Sequence, residues 1–274
     1  SDDLQWKFSE AAKGCTLDFH KDSHTGLWRP ILVKMEGKMP HGACVGELRK
    51  QLGNDADRRF FDKGVEPRLT ATMGKVAVDA SKRVDPDVGL KVDDGDDQLD
   101  RFLIEVDHKG NRPRLQAERV AQLFEDFGVT LRVLLTVKFY DWRRDGRFPA
   151  YCVVYGRDDA DIVHVRRAFE VGTVRNAIAK ARVRNVWDEN GWVLDAAVDD
   201  GTADGFTIEP YTFLPDTHLP PRPPTPEIAE HFRVTIDEAD LYYGAASYEP
   251  PGVPDPLLLD LYEAMHDVDH YLPL

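Results

Sequence analysis

The clearest periodicity in the chain lies in Arg112–Gly128, RPRLQAERVAQLFEDFG, where Leu115 is followed by Val120, Leu123, Phe124 and Phe127, the last four recurring at three- and four-residue steps. Such spacing predicts a helix with one apolar face, and Gly128 supplies its C-terminal stop. Val129–Tyr140, VTLRVLLTVKFY, is nearly continuously apolar and β-branched, as expected of a central strand covered on both faces. Val84–Val92 and Arg101–Lys109 read as two strands before the helix. Strand, helix and buried strand together form a crossover unit, which implies parallel pairing.

The rest of the pattern extends this core. Gly42–Asp55 predicts a short helix ending near Gly53, and Pro67–Asp79 alternates like extended chain broken at Gly74. AYCVVYGR and DIVHVRRAF predict a hairpin turning around Arg157–Ala160. Val183–Val198 predicts another, with Asn190-Gly191 supplying the positive-φ turn. A strand is expected at Gly205–Leu214, followed by the proline-rich PDTHLPPRPPTPE and an amphipathic helix near the C-terminus. The expected division is an irregular segment over residues 1–41, a core with appended hairpins over 42–214, and a proline-rich linker with a C-terminal helix over 215–274. No internal repeat is visible.

Composition narrows the function. Hydrophobic residues make up 42 % of the 274-residue chain, enough for a substantial core. No apolar run approaches the roughly 18 residues of a membrane span. The opening Ser-Asp-Asp-Leu carries neither an initiator Met nor a signal-peptide pattern, so a natural N-terminus further upstream is expected. Cys15, Cys44 and Cys152 lack metal-ligand spacing and suit a reducing compartment, which predicts an intracellular protein of the cytoplasm or nucleus. The net charge of −14 argues against a general nucleic-acid coat. It is unevenly spread, however. Asp93, Asp94, Asp96, Asp97 and Asp100 crowd one stretch, whereas Arg166, Arg167, Arg175, Lys180, Arg182 and Arg184 could line a basic groove.

Candidate chemistry sits on the strand at Arg101–Lys109. Successive strand residues point to opposite faces, so Leu103, Glu105, Asp107 and Lys109 share one face and Phe102, Ile104, Val106 and His108 the other. The preceding strand adds Asp87 directly after Pro86. Acids flanked by isoleucine and valine repel one another and raise one another's pKa when buried. Such a set either forms a site or lines a wet sheet face. His20/His24 and His266/His270 have the i, i+4 spacing of zinc ligands, but no Cys stands near the second pair. The aspartate stretch lacks the ligand spacing and terminal glutamate of a calcium loop. No glycine-rich phosphate loop and no nucleophile elbow is present.

A helix, strands, Pro-Asp opening a strand, an acid-bearing strand, a crossover helix and a buried strand together resemble the PD-(D/E)XK nuclease-like superfamily. The resemblance is closest to its fungal and bacterial restriction-endonuclease-like members and spans roughly Gly42 to Tyr140. It implies an α/β fold, a restriction-endonuclease-like mixed sheet flanked by helices, here with additional β-hairpins and an irregular C-terminal arm. Pro86-Asp87 matches the first half of the signature, and the second half fits in two registers. Asp107-His108-Lys109 matches (D/E)XK literally. In the other register Glu105 is the second acid, Asp107 occupies the lysine position, and Lys109 or Lys138 substitutes for the lysine.

The resemblance implies hydrolysis of phosphodiester bonds in DNA or RNA with Mg²⁺ or Mn²⁺. Asp87, Glu105 and Asp107 would be metal ligands and Lys109 the partner of the catalytic base. Glu47, on the preceding helix, is where some members add an acid. The chemistry is coherent, because a hard divalent cation takes carboxylate oxygens, polarises the phosphoryl group and activates water. The rival expectation is a nuclease-like fold that has lost catalysis and binds protein or nucleic acid as a scaffold. A carboxylate-based sugar hydrolase is a third, but no aromatic platform stands near residues 87–109 to support it.

Overall fold

The computed structural model describes residues 15–21, 28–34, 39–62, 64–65, 68–72, 76–77, 83–84, 86–94, 97–108, 113–140, 147–174, 187, 189, 192–195, 219–249 and 253–270. Strands β1 (Cys15–Lys21) and β2 (Trp28–Lys34) pair antiparallel, where the sequence predicts irregular chain. Helix α1 (Met39–Asp57) continues into a π-helical turn at Arg58–Asp62. It starts before the expected Gly42 and runs through Gly53. Cys44, Val45, Leu48, Leu52 and Ala56 are all buried, and this stripe holds the helix together across the glycine.

Strand β3 (Arg68–Thr72) follows, then the short pair β4 (Val76–Ala77) and β5 (Arg83–Val84). Strands β6 (Val88–Asp94) and β7 (Asp97–His108) form a hairpin whose last pair is Asp94 with Asp97. The aspartate stretch is thus largely strand, and Asp100 is buried near Lys91. Helix α2 (Pro113–Phe127) stops at Gly128, which adopts φ +54°. Its Val120, Leu123, Phe124 and Phe127 are buried as expected, but Leu115 is exposed. A 3₁₀ turn at Gly128–Thr130 then leads into β8 (Val133–Phe139).

Strand β8 pairs parallel to β7 on one side and antiparallel to β9 (Ala150–Arg157) on the other. All seven of its residues are buried, so it is the central strand that its composition predicts. Strand β10 (Val163–Glu170) completes the expected hairpin with β9. The Asn190-Gly191 turn of the second expected hairpin lies outside the described residues. Trp187 and Glu189 are helical, and β11 (Val193–Leu194) pairs parallel with β10. The sheet order is β11-β10-β9-β8-β7-β6-β3. It is a mixed seven-stranded sheet flanked by helices, and the fold class is α/β. The expected strand at residues 205–214 lies outside the described residues.

The C-terminal region departs most from expectation. Helix α3 (Pro226–Phe232), β12 (Arg233–Ile236), α4 (Glu238–Leu241) and β13 (Leu257–Asp260) are regular elements rather than an irregular arm, and α5 (Leu261–His270) is the helix expected near the C-terminus. Phe232, Val234, Ile236, Leu257, Leu259, Tyr262 and Met265 join α1 and one sheet face in a single apolar cluster. Arg59, fully buried at the end of α1, bonds to Asp55 at 2.6 Å and to the Asp255 carbonyl at 2.6 Å. The opposite sheet face packs on α2 and Trp187. No described helix is long and apolar enough to cross a membrane. Cys44 and Cys152 are buried free thiols.

Leu135 sits at the centre of β8 with no exposed surface. Leu135→Ala should lower the free energy of unfolding by about 2–5 kcal/mol, because it removes apolar contact and leaves a cavity. Urea titration measures this. A loss well below that range would contradict central placement of β8.

Candidate active site

The acids gather where β6 begins and β7 and β8 end. Val88 pairs with Ile104, so Asp87 stands one residue before the ladder and level with Glu105. Its Oδ2 accepts the Val106 backbone N–H at 2.7 Å, in place of a strand partner. Its Oδ1 lies 2.9 Å from His41 Nε2, in the first turns of α1. Asp87 is therefore held from two directions, by the sheet and by a helix from its other face.

Glu105 and Asp107 project from β7 toward the α2 face. In the parallel ladder Glu105 stands beside Thr136 and Asp107 beside Lys138. The Lys138 ammonium, only 1 % exposed, donates to Asp107 Oδ2 at 2.6 Å. A buried ammonium requires such a partner, because water cannot reach it. Arg119, on α2, lies 3.2 Å from Glu105 Oε1. Burial raises the Glu105 carboxyl from its ordinary 4.5 to about 7; Arg119 opposes the shift, and the fields of Asp87 and Asp107 add to it. Among the described residues, no group of three or more His, Cys, Asp or Glu side chains is arranged to hold a metal ion as it stands.

Each expected site residue can now be placed. Asp87, Glu105 and Asp107 occupy one region, joined by a lysine amine from β8 rather than by one on their own strand. Lys109 lies outside the described residues. Glu47 points elsewhere, bonding Lys50 and Gln51 and facing Glu263 of α5. Of the expected basic groove, Arg166 pairs with Asp240. Arg167 donates to the carbonyls of His231 and Arg233. Both are structural, and Arg175, Lys180, Arg182 and Arg184 lie outside the described residues. The His266 and His270 rings lie 4.1 Å apart, but no third ligand completes a metal site there among the described residues.

His41 and Arg119 were not singled out from the sequence. His41 lies in the stretch Met39–His41 by which α1 begins before the expected Gly42. Arg119 follows Gln116 at helical spacing on the side of α2 that meets the sheet, and the strand–helix crossover is what carries it over Glu105. The aromatic pair Tyr140 and Tyr151, stacked at 5.6 Å beside Lys138, also emerges only from the strand register.

The arrangement can bind a hard cation through carboxylate oxygens, hold an anion near Arg119 and Lys138, or move a proton at Glu105 near neutral pH. No protein-family model matches the chain, and no curated protein matches it.

The raised Glu105 carboxyl predicts a pH effect on stability. The folded state binds this proton more tightly than the unfolded chain, so the group favours folding below pH 4.5 and loses that contribution as pH rises to about 7. In urea titrations without divalent ions, the wild type should lose at most about 3 kcal/mol relative to Glu105→Gln across that window. Parallel pH profiles for the two proteins would refute the desolvation of Glu105.

Proposed function

We propose that the protein is a metal-dependent phosphodiesterase acting on nucleic acid, with a PD-(D/E)XK-like site in the Glu105 register. The single observation that carries this reading is the convergence of Asp87, Glu105 and Asp107 from neighbouring strands, with the buried Lys138 ammonium on Asp107. The order helix α1, strands β3 and β6 with Pro86-Asp87, acid strand β7, crossover α2 and buried strand β8 supports the same reading.

Asp87 and Glu105 would hold the ion. The donor chemistry fits, since both are oxygen ligands and Glu105 is a carboxyl whose negative charge lacks sufficient compensation in its present surroundings. A bound Mg²⁺ or Mn²⁺ would polarise the phosphoryl group and lower the pKa of an attacking water. Arg119 and His41, which now balance Glu105 and Asp87, would be released toward the substrate phosphate. Lys138 donates to Asp107 and would place an ammonium where negative charge develops, the role that a lysine on β7 would otherwise serve.

A second reading has its own support. Every acid of the site already has a donor or cation, and no ready three-ligand metal group stands among the described residues. That favours a catalytically silent scaffold that binds protein or nucleic acid.

The two readings part on activity. With Mg²⁺ or Mn²⁺ the wild type should cleave at least one of single- or double-stranded DNA or RNA, and Asp87→Asn and Glu105→Gln should not. Lys138→Met, which preserves side-chain length, should retain metal binding and lower turnover about 10²–10⁴-fold. Metal should also raise the thermal midpoint of the wild type by mass action, and Asp87→Asn should lose that response. Identical background hydrolysis from all four proteins would overturn the enzyme and leave the scaffold.

A further inference from the structure

His164, near the start of β10, faces a carboxylate with each of its ring nitrogens. Its Nδ1 lies 3.1 Å from Asp195 Oδ1, and its Nε2 lies 3.0 Å from Asp158 Oδ2. An ionised carboxylate only accepts hydrogen bonds, and a neutral imidazole carries a single N–H. A neutral ring can therefore serve only one of these acids. Both bonds together need the imidazolium, and histidine is the side chain whose ordinary titration falls between about pH 5 and 8.

The two acids are not held alike. Asp158 is built into the β9–β10 turn, where its Oδ1 accepts the Ile162 N–H at 2.8 Å and its own N–H donates to the Ile162 carbonyl at 3.0 Å. That backbone donor, with the His164 ring adding to it, holds the Asp158 carboxyl below its ordinary range. Asp195 instead follows β11, which pairs with β10 over only Val193 and Leu194. The Asp195 N–H extends this by donating to the Val165 carbonyl at 3.1 Å. So short a ladder opens easily, and the side-chain bond to His164 is a large share of what seats it. The segment matters to the core, because Trp187, Trp192 and Leu194 lie on the apolar cluster beneath α2. Other charges around the ring are committed elsewhere. Asp159 pairs with Arg132 and Asp161 with Arg157, while Arg166, which feels the charge of Asp195, pairs with Asp240.

We propose that His164 is a pH-operated clasp on the sheet edge: its imidazolium ties β11 to the β9–β10 turn, and loss of the ring proton releases Asp195. The remaining N–H stays on Nε2, because the turn-bound Asp158 cannot retreat from it whereas Asp195 can. Nδ1 then turns a lone pair toward the Asp195 carboxylate, and the two repel. The closed clasp binds the ring proton more tightly than the open one, so closure is favoured at mildly acid pH and lost as pH rises. In strong acid Asp158 itself takes a proton, and the clasp fails from the other side. The device is local to β11 and stands apart from the phosphodiesterase reading.

Amide hydrogen exchange on the full chain, corrected for intrinsic rate, tests this, with ring-nitrogen NMR shifts reading the protonation of His164. From about pH 5 to 8 the Asp195 amide of the wild type should lose protection about tenfold or more as the ring deprotonates, the scale of one charge-assisted hydrogen bond. Amides of β8 report global unfolding and so separate the effect of Glu105. His164→Gln should leave the Asp195 amide weakly protected at every pH. Asp195→Asn offers an amide donor to the neutral ring, so protection there should hardly change with pH. Thermal midpoints confirm that both variants are folded. A flat profile in the wild type, or the same decline in Asp195→Asn, overturns the clasp. So does a wild-type decline that the β8 amides share in full.

Discussion

A strand that is apolar on both faces must be kept from water on both faces, and β8 imposes this condition on the whole molecule. Val133, Leu135, Val137 and Phe139 meet the cluster built by α1 and the C-terminal elements, while Leu134 meets α2. The covering layers follow from that need. Helix α2 reaches one face through the β7–α2–β8 crossover. The other face takes two contributors far apart in sequence, α1 and the β12–β13–α5 unit. The C-terminal residues are therefore part of the same core, and the buried Arg59 network closes the joint between them.

Lys138 is the exception within β8, and it organises the site. An ammonium with almost no exposed surface has to find a carboxylate, and the parallel register sets Asp107 beside it. The same register leaves Glu105 next to Thr136, with no cation on the neighbouring strand. Its compensation comes from α2 through Arg119 and is incomplete, so desolvation dominates. Asp87 is locked by a backbone N–H and a histidine from the opposite layer. One pair is thus closely matched and one carboxyl is under-compensated.

The regularity of α2, the buried strand that follows it, their parallel crossover and the β9–β10 hairpin were legible in sequence, because each rests on local periodicity or local turn chemistry. The acid face of β7 was legible for the same reason, since period-two alternation assigns Glu105 and Asp107 to one side without knowledge of neighbours. The failures are equally physical. Gly53 marks a helix end only when nothing else holds the helix, and packing of Leu52 and Ala56 overrides it. Leu115 stands five residues before Val120, which turns it about 140° round α2 from that buried position, and it is exposed.

Strand alternation by itself determined that carboxylates project together from β7, and the run of β-branched residues determined that β8 is interior. Only the tertiary structure decided which cation answers which acid. The ladder register brings Lys138 to Asp107 across 31 residues of chain, α1 delivers His41 to Asp87, and the crossover angle of α2 delivers Arg119 to Glu105. These are pairings between elements whose spacing along the chain carries no information about their separation in space. Apart from α5, which its amphipathic pattern announced, the C-terminal layer was not legible for the same reason: its short strands and helices are stabilised by a surface they did not encode, the apolar face of α1 and the sheet.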